Sequence, residues 1–396
     1  MNIALCTDVF MPHMGGIEAV TNALANEYVR LGHNVAVFTS DMSLKNIDDS
    51  TFSYKVYRTR SYKVLPGVHT PFPERDKKFN KSLCDFAPDV IHAHTPFAVG
   101  WWGIVKAKEL KIPSVLTTHT YLNYMNDTQV PFSKTNPLHK AIVKQLSKQP
   151  AKASKNCSVL TAVSKSVIKN EIRDVYHLDR DVVVVRNGYN VQKDYIKENG
   201  VPYVLNKNKI IISYAGQIDK TKNIAFSMFV CAELKKRSVP FEFVLAGSVN
   251  KKLNFPFSKN DMEKYIMMSK KLGIYDSVRF VGRLDKQQLC EHYRTSDLFL
   301  FPSVYDTDGI VVKEAAAEGT PALVIRNTGA AEQIEEGVNG YALDENTDKF
   351  ADKIEELYQL KKKSPNEYLK LRESTKNKPI PSWRDIAGEY LRLYRL

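Results

Sequence analysis

No apolar run in the sequence approaches the roughly 20 residues that a membrane-spanning helix needs. The opening segment MNIALCTDVF has no positively charged stretch and meets Asp8 early, so a first strand is expected there rather than a secretory leader. Cysteine is sparse. The five present (Cys6, Cys84, Cys157, Cys231, Cys290) stand singly, which leaves no CxxC pair for zinc, argues against a disulfide framework and points to a reducing cytosol. A dinucleotide fingerprint is missing too, because Gly15 and Gly16 are not part of a G-x-G-x-x-G. The most informative gap is in acidic residues: between 128 and 170 there are none, against eight lysines. Residues 51–170 hold 19 Lys/Arg against 6 Asp/Glu, an excess equal to the net charge of +13 on the whole chain. A surface of that kind seeks phosphate, in nucleic acid, anionic lipid or a phosphorylated substrate. No recognisable RNA- or DNA-binding motif accompanies it, so nucleic acid is not expected as a partner.

What is present reads as a globular chain. Hydrophobic residues make up 43% and charged residues 26%, which argues against disordered, collagen-like and coiled-coil forms. At roughly 100–200 residues per domain, 396 residues favour two domains. Short apolar runs alternate with helical patterns. Residues 2–7 and 35–39 are expected strands; between them Ile17, Val20, Leu24, Tyr28 and Leu31 recur at helical spacing, with Gly32 at a C-terminal cap position. DVIHAH (89–94), SVLTT (114–118), SVLTAV (158–163) and VVVVRN (182–187) continue the series. After the polar stretch NVQKDYIKENG (190–200), a second series runs through IIISYAG, FEFVLAG, VRFVG, DLFLFPS and TPALVIR. This alternation predicts an α/β protein with two doubly wound parallel sheets joined near 190–205. The expected domains are 1–195 and 196–378, with 379–396 a C-terminal helix packing back on the first. Ligands of open α/β sheets bind beyond the carboxyl ends of the strands, so the expected site is a cleft between the two sheets.

The stretch FPSVYDTDGIVVKEAAAEGTPALV (301–324) runs from a strand through a turn at Asp306–Gly309 into a short helix stopped by Gly319 and Pro321. Gly309 permits close approach of an anion, and the amides of Ile310 and Val311 can donate to it. A helix N-terminus favours a negative group by about 0.3–2 kcal/mol. Asp306 and Glu314 are separated by seven residues, one in the turn and one inside the helix. On spacing alone, an Asp capping the helix and a surface Glu would serve as well. Asp306-Thr307-Asp308 is also a literal DxD, and His92 and His94 share one strand face. No third ligand accompanies the histidines, and strand-end packing explains them better than a metal does.

Strand, turn and acidic-x7-acidic spacing together resemble the signature of glycosyltransferase family 4, retaining enzymes of the GT-B fold, with Asp306 a shortened form of the usual Glu. The resemblance runs nearly the length of the chain. HMGGIEAVTNALANEYVRLGHNVAVFT resembles the family's N-terminal glycine loop and helix; PDVIHAHTPFAVGWWG and IPSVLTTHTY resemble the two acceptor-domain strand ends. LTAVSKSV, VVVVRNGYN and ISYAGQIDKTKN resemble the approach to the linker and the donor-domain entry loop. The resemblance implies that Glu314 binds the donor ribose, that Asp306 lies at the transferred sugar, and that amides at Gly309, Ile310 and Val311 hold sugar hydroxyls or phosphate. It implies donor-binding roles for Gly16, Gly216 and Lys222 as well. His119, ending the apolar run SVLTT, matches the family histidine that contacts the transferred sugar. One departure stands out. Where the family carries G-R-x-x-x-E-K, this chain has Gly216, Gln217, Ile218, Asp219, Lys220, Thr221 and Lys222, so the diphosphate-clamping Arg is Gln217. A charge-assisted hydrogen bond contributes about 1.5–3 kcal/mol, which a neutral Gln does not replace fully. Lys220 or Arg283 compensates, donor binding is weak, or the chain has left ordinary activity.

The lysine-rich segment SKTNPLHKAIVKQLSKQPAKASKN (134–155) is expected to form a helix begun at Asn136 and Pro137. Leu138, Ile142 and Leu146 make one stripe, and Lys140, Lys144 and Lys148 another, well separated from it. Solvated faces normally mix signs, so a purely basic one points to an anionic membrane. Trp101, Trp102, Tyr121, Tyr124 and Phe132 are either its interfacial rim or core. The resemblance is closest to diacylglycerol glucosyltransferases. It implies transfer of a hexose, glucose from UDP-glucose, to a membrane lipid, with no metal and no cofactor beyond the nucleotide-sugar substrate. The expected location is cytoplasmic, peripheral on the inner face of the cell membrane, with homo- or hetero-oligomers admitted. The alternatives are a cell-envelope polysaccharide or protein-borne sugar as acceptor, or a noncatalytic GT-B partner subunit.

Overall fold

The run Ile3-Ala4-Leu5-Cys6 is wholly buried because β1 (Asn2–Cys6) has a parallel neighbour on each side. Leu5 faces Val37 of β2 (Asn34–Ser40) across one edge and His92 of the DVIHAH strand across the other. This computed structural model describes residues 1–396 apart from 14, 45, 66–67, 123–136, 191–201, 219 and 249–260; for 63–65, 68–69, 137–144, 146 and 261 it describes the backbone. The chain divides into two compact units: Met1–Gly188 with Pro381–Leu396, and Tyr189–Ile380. Most of the stretch expected to join them, 191–201, lies outside the described residues.

In the first unit, α1 (Gly16–Arg30) follows β1 and buries Val20, Leu24 and Tyr28, the stripe expected from helical spacing. Gly32 takes up φ 81° just past it, a left-handed cap conformation that costs glycine little. Then come β2, β3 (Lys55–Thr59), the hairpin β4 (Ser61–Leu65) and β5 (Val68–Pro71), α2 (Lys77–Phe86), β6 (Val90–Ala93) and α3 (Ala98–Leu110). They are followed by β7 (Ser114–Thr118), α4 (Pro137–Asn156), β8 (Val159–Ala162) and β9 (Val183–Val184). The parallel sheet has the order β3-β2-β1-β6-β7-β8-β9. Strand order reverses between β1 and β6, so the crevice where such sheets take ligands opens at their carboxyl ends. The expected strand 182–187 shrinks to two residues, since β9 is an edge paired only with β8.

The second unit contains β10 (Ile210–Ala215), α5 (Ile224–Lys236), β11 (Phe241–Ala246), α6 (Asp261–Lys271), β12 (Val278–Gly282), α7 (Lys286–Arg294) and β13 (Leu298–Phe301). It continues with α8 (Ile310–Ala317), β14 (Ala322–Ile325), β15 (Gly340–Leu343), α9 (Thr347–Lys363) and α10 (Pro365–Asn377). The sheet order is β12-β11-β10-β13-β14-β15, reversing between β10 and β13. At the amino end of β13 a buried polar cluster ties helices to sheet. Asp297 accepts from the Ile211 amide at 2.7 Å and from Lys361 Nζ at 2.5 Å, and both side chains of this ion pair are at most 1% exposed. The chain then returns to the first unit as α11 (Trp383–Leu393), where it packs against α1.

Candidate functional site

In the second unit the site forms at the strand-order reversal. Beyond β13 the turn Asp306–Gly309 enters α8 with Gly309 as N-cap at φ 73°, ψ 53°, a left-handed conformation that disfavours a side chain. Space is as restrictive: a Cβ on Gly309 would lie 2.8 Å from Ala330 Cβ. The Gly329 amide donates to the Asp306 carbonyl at 3.0 Å, and Gln333 Nε2 donates to the Gly309 carbonyl at 3.2 Å. The turn is thus braced by the protein's own backbone and side chains. By geometry the first amides of a helix, here Ile310 and Val311, have no intrahelical partner and carry positive dipole character.

Two ion pairs brace the same turn. Lys222 Nζ, in the loop after β10, lies 3.0 Å from Asp306 Oδ2 and 5.4 Å above the Phe301 ring. Lys313 Nζ reaches Asp308 Oδ2 at 2.7 Å, and both partners are buried. Each carboxylate of the literal DxD is therefore paired with a lysine. Asp306 does not cap the helix, since Gly309 holds that position; one of its oxygens instead accepts from the Asp308 amide at 3.2 Å. Glu314, expected on a surface if it were bland, receives the Tyr293 hydroxyl at 3.1 Å, and burial pushes its carboxyl up to about 7. Gly216 follows β10, and its amide donates to the Ala246 carbonyl at 3.1 Å. Gln217 is exposed and accepts the Tyr214 hydroxyl on its backbone carbonyl at 2.8 Å. Lys220 and Arg283, the named compensating cations, are also exposed.

In the first unit the strand ends supply three histidines and an aspartate. His119 follows β7 and His94 follows β6; their Nε2 and Nδ1 atoms lie 3.0 Å apart. Burial pushes His119 down to about 3, so at neutral pH it is an uncharged imidazole. Both nitrogens of His92 are engaged within the protein: the Tyr394 and Thr117 hydroxyls each hold one at 2.7 Å. Asp8, just after β1, accepts from the Val99 amide at 2.8 Å and from the Thr95 hydroxyl, binding the start of α3 to the first strand. Asp8 is not among the site residues expected from the sequence, although a lone carboxylate directly after a buried strand marks a strand-end position. Gly16 opens α1; a Cβ there would meet nothing within 4 Å, so neighbouring atoms do not require the glycine.

Helix α4 begins at Pro137, as its sequence signal predicts. Lys148 is exposed, and Lys152 and Lys155 continue the basic face; Lys152 Nζ sits 4.8 Å over the Trp101 ring. The side chains of Lys140, Lys144, Leu138, Ile142 and Leu146, together with Tyr124 and Phe132, lie outside the described residues. Trp102 and Tyr121 are core, at 3% and 5% exposure. Among the described residues no helix is long and apolar enough to cross a membrane.

Comparison with known proteins assigns both halves. Residues 14–193 match the model of "Glycosyltransferase Family 4", and residues 196–378 that of "Glycosyl transferases group 1". An alpha-monoglucosyldiacylglycerol synthase of Streptococcus pneumoniae is 26% identical over 83% of this chain and 71% of its own length. Among solved structures, the sucrose-phosphate synthase of Thermosynechococcus elongatus superposes with a TM-score of 0.75 at 17% identity, covering 99% of this chain and 98% of the other. Anabaena HepE bound to UDP gives 0.71 at 17% identity with complete coverage of both chains; HepE has also been solved with UDP-glucose.

Proposed function

The chain belongs to the GT-B glycosyltransferases, enzymes that take a sugar from a nucleotide sugar, and on that premise we propose that it glucosylates a membrane lipid. The donor in this reading is UDP-glucose and the acceptor is a lipid such as diacylglycerol. The observation that carries the donor side of this reading is the braced turn of the second unit. A left-handed Gly309 opens α8, Lys222 stands beside Asp306, and Glu314 lies within the helix. That arrangement offers amides and a cation to a diphosphate and carboxylates to sugar hydroxyls. The name of the Streptococcus relative supports glucose and a diacylglycerol lipid, and the UDP-glucose held by HepE supports the donor.

The reaction in this reading retains the anomeric configuration, without a metal and without a protein nucleophile. The acceptor oxygen attacks the anomeric carbon from the face that the phosphate leaves, and its proton passes to the departing phosphate. Lys222 and the Ile310 and Val311 amides stabilise the charge on that phosphate. Asp306 and neutral His119 bind the transferred sugar, Gly216 and Gln217 line the entry loop, and Gly16 belongs to the first unit's glycine loop. The lysines of α4 hold the enzyme as a peripheral protein on the inner membrane face. A second reading, a noncatalytic partner subunit, is favoured by one observation: Gln217 stands where the family has Arg.

A thermal-shift screen of UDP, GDP and ADP sugars, followed by transfer to diacylglycerol in anionic vesicles, separates these. Stabilisation by UDP-glucose and formation of an α-glucosyl lipid support the first reading. Stabilisation without transfer or hydrolysis supports the second. No stabilisation by any nucleotide sugar removes the first reading and leaves the second.

A further inference from the structure

We infer that Glu171 is a positioning residue: it holds the segment that leaves β7 with His119, and so fixes where that imidazole stands at the strand end. This rests on the reading of His119 as a sugar-binding group. Strand β7 ends at Thr118, and the chain continues as His119, Thr120, Tyr121 and Leu122. After β8 the chain forms a short helical turn, Lys165–Val167, which passes into a wider π-helical one, Ile168–Arg173.

Side chains of these two turns reach the His119 segment at consecutive residues. Glu171 Oε2 accepts from the Leu122 amide at 2.9 Å, and Ser166 Oγ lies 2.9 Å from the Tyr121 hydroxyl oxygen. All four residues are buried. Two adjacent anchors fix the direction of a chain as well as its position, here two and three residues past the histidine. Ser166 is held in its turn by Ser164, 2.9 Å away, whose hydroxyl caps the helical turn by accepting from the Val167 amide at 3.3 Å. His119 also stands 3.0 Å from His94, so the imidazole is held through its ring and through the chain that follows it.

The chemistry of Glu171 sets it apart from ordinary packing. Its side chain is wholly enclosed, and burial pushes its carboxyl up to about 7, although the Leu122 amide and the Tyr176 hydroxyl both favour the ionised form. An ionisable group in the interior is costly. A loop amide at the surface is satisfied by water without that cost, so what the carboxylate adds is a fixed path for the chain. The π-helical turn is a second sign, because such turns are rare and recur at functional sites. Here the Asp174 and Tyr176 amides reach back five residues, to the Lys169 and Glu171 carbonyls at 3.1 and 2.9 Å.

Glutamine at this position keeps an oxygen for the Leu122 amide, whereas leucine fills the space without one. Peptide-resolved hydrogen exchange over residues 119–122 reads the holding directly. Exchange should be roughly tenfold faster in Glu171→Leu and close to the parent in Glu171→Gln. Unchanged exchange in Glu171→Leu overturns the inference, whatever the chain does in turnover. In kinetics, Glu171→Leu should lower kcat roughly tenfold while KM for UDP-glucose stays within about threefold, and Glu171→Gln should recover most of the loss. A fully active Glu171→Leu, or a Glu171→Gln no better than Leu at equal melting temperature, also overturns it. Added to His119→Ala, Glu171→Leu should lower kcat no further, since a residue that acts through His119 has nothing left to position. A further loss of roughly tenfold in that background overturns the inference. Should Glu171→Leu not fold, Tyr121→Phe keeps the buried ring, removes the neighbouring contact and carries the same readouts. Exchange and kcat both unchanged in Tyr121→Phe then overturn it. Full activity of His119→Ala instead sinks the reading of His119, and exchange alone then decides whether Glu171 holds the segment.

Discussion

Lys222 and Asp306, 84 residues apart in the chain, meet as an ion pair with Nζ and Oδ2 3.0 Å apart. The pair is partly exposed, at 23% and 14%, so it is screened and worth little by itself. Its meaning is electrostatic: the cation proposed for the donor diphosphate already has a neighbouring anion. Asp306→Asn should therefore tighten nucleotide diphosphate binding by roughly three- to tenfold, about 0.6–1.4 kcal/mol. The same variant should lower the transfer rate, because the group proposed at the sugar is gone. Calorimetry with UDP alongside steady-state kinetics checks both; weaker UDP binding in the variant would show that Asp306 supports Lys222 rather than competing for it.

Gln217→Arg restores a planar cation to the loop where the family carries one. It should tighten binding of diphosphates more than of the matching monophosphates, since guanidinium holds phosphate bidentately. Equal effects on both ligands would mean that position 217 does not face the diphosphate.

Glu314 sets a pH dependence. Its folded value of about 7 lies above the ordinary 4.5, so ionisation is opposed in the folded protein. Stability from this group is fully present below pH 4.5 and falls as pH rises toward 7. Glu314→Gln, which never ionises, should gain stability relative to the parent across that window, read as the difference in unfolding free energy. Ribose hydroxyls donate to a carboxylate, so nucleotide binding should favour the ionised form. From pH 6 to 8 the parent should gain up to about tenfold more affinity than Glu314→Gln does. At pH 8 the variant should bind roughly 1–3 kcal/mol more weakly. Identical affinities at every pH would place Glu314 outside the nucleotide site.

The basic face of α4 predicts salt-sensitive attachment. Each exposed lysine near an anionic leaflet contributes on the order of 1 kcal/mol. Lys140, Lys144 and Lys148 changed together to Glu should abolish sedimentation with anionic vesicles and leave nucleotide binding unchanged. Undiminished vesicle binding by the triple variant would mean that the helix is a solvated face.

At the opposite end of the second sheet, Lys361→Met should destabilise the fold by about 3–5 kcal/mol, because it leaves the Asp297 charge buried and unpaired. Adding Asp297→Asn should recover part of that loss. Denaturant unfolding of the two variants measures the difference; an additive double variant would mean that the two side chains do not interact.

Much of the architecture is local and therefore legible in the sequence. Strand runs such as Ile3–Cys6 are buried on both faces and so are apolar throughout, and α1 shows its buried stripe as a repeat at helical spacing. The turn before α8 is legible because a left-handed entry demands Gly309, and Glu314 stands at a fixed helical distance from it. Other features leave no local trace. Lys222 faces Asp306 because β10 and β13 are neighbours where the strand order reverses. His94 meets His119 because β6 and β7 pair in register, with His92 opposite Val115. Tyr394 reaches His92 from 302 residues away because the chain crosses back to the first unit at its end. Periodicity records which face of an element is buried. It does not record which element covers that face, so the partners of Lys222, His119, His92 and Glu314 were decided only when sheet order and helix packing brought distant side chains together.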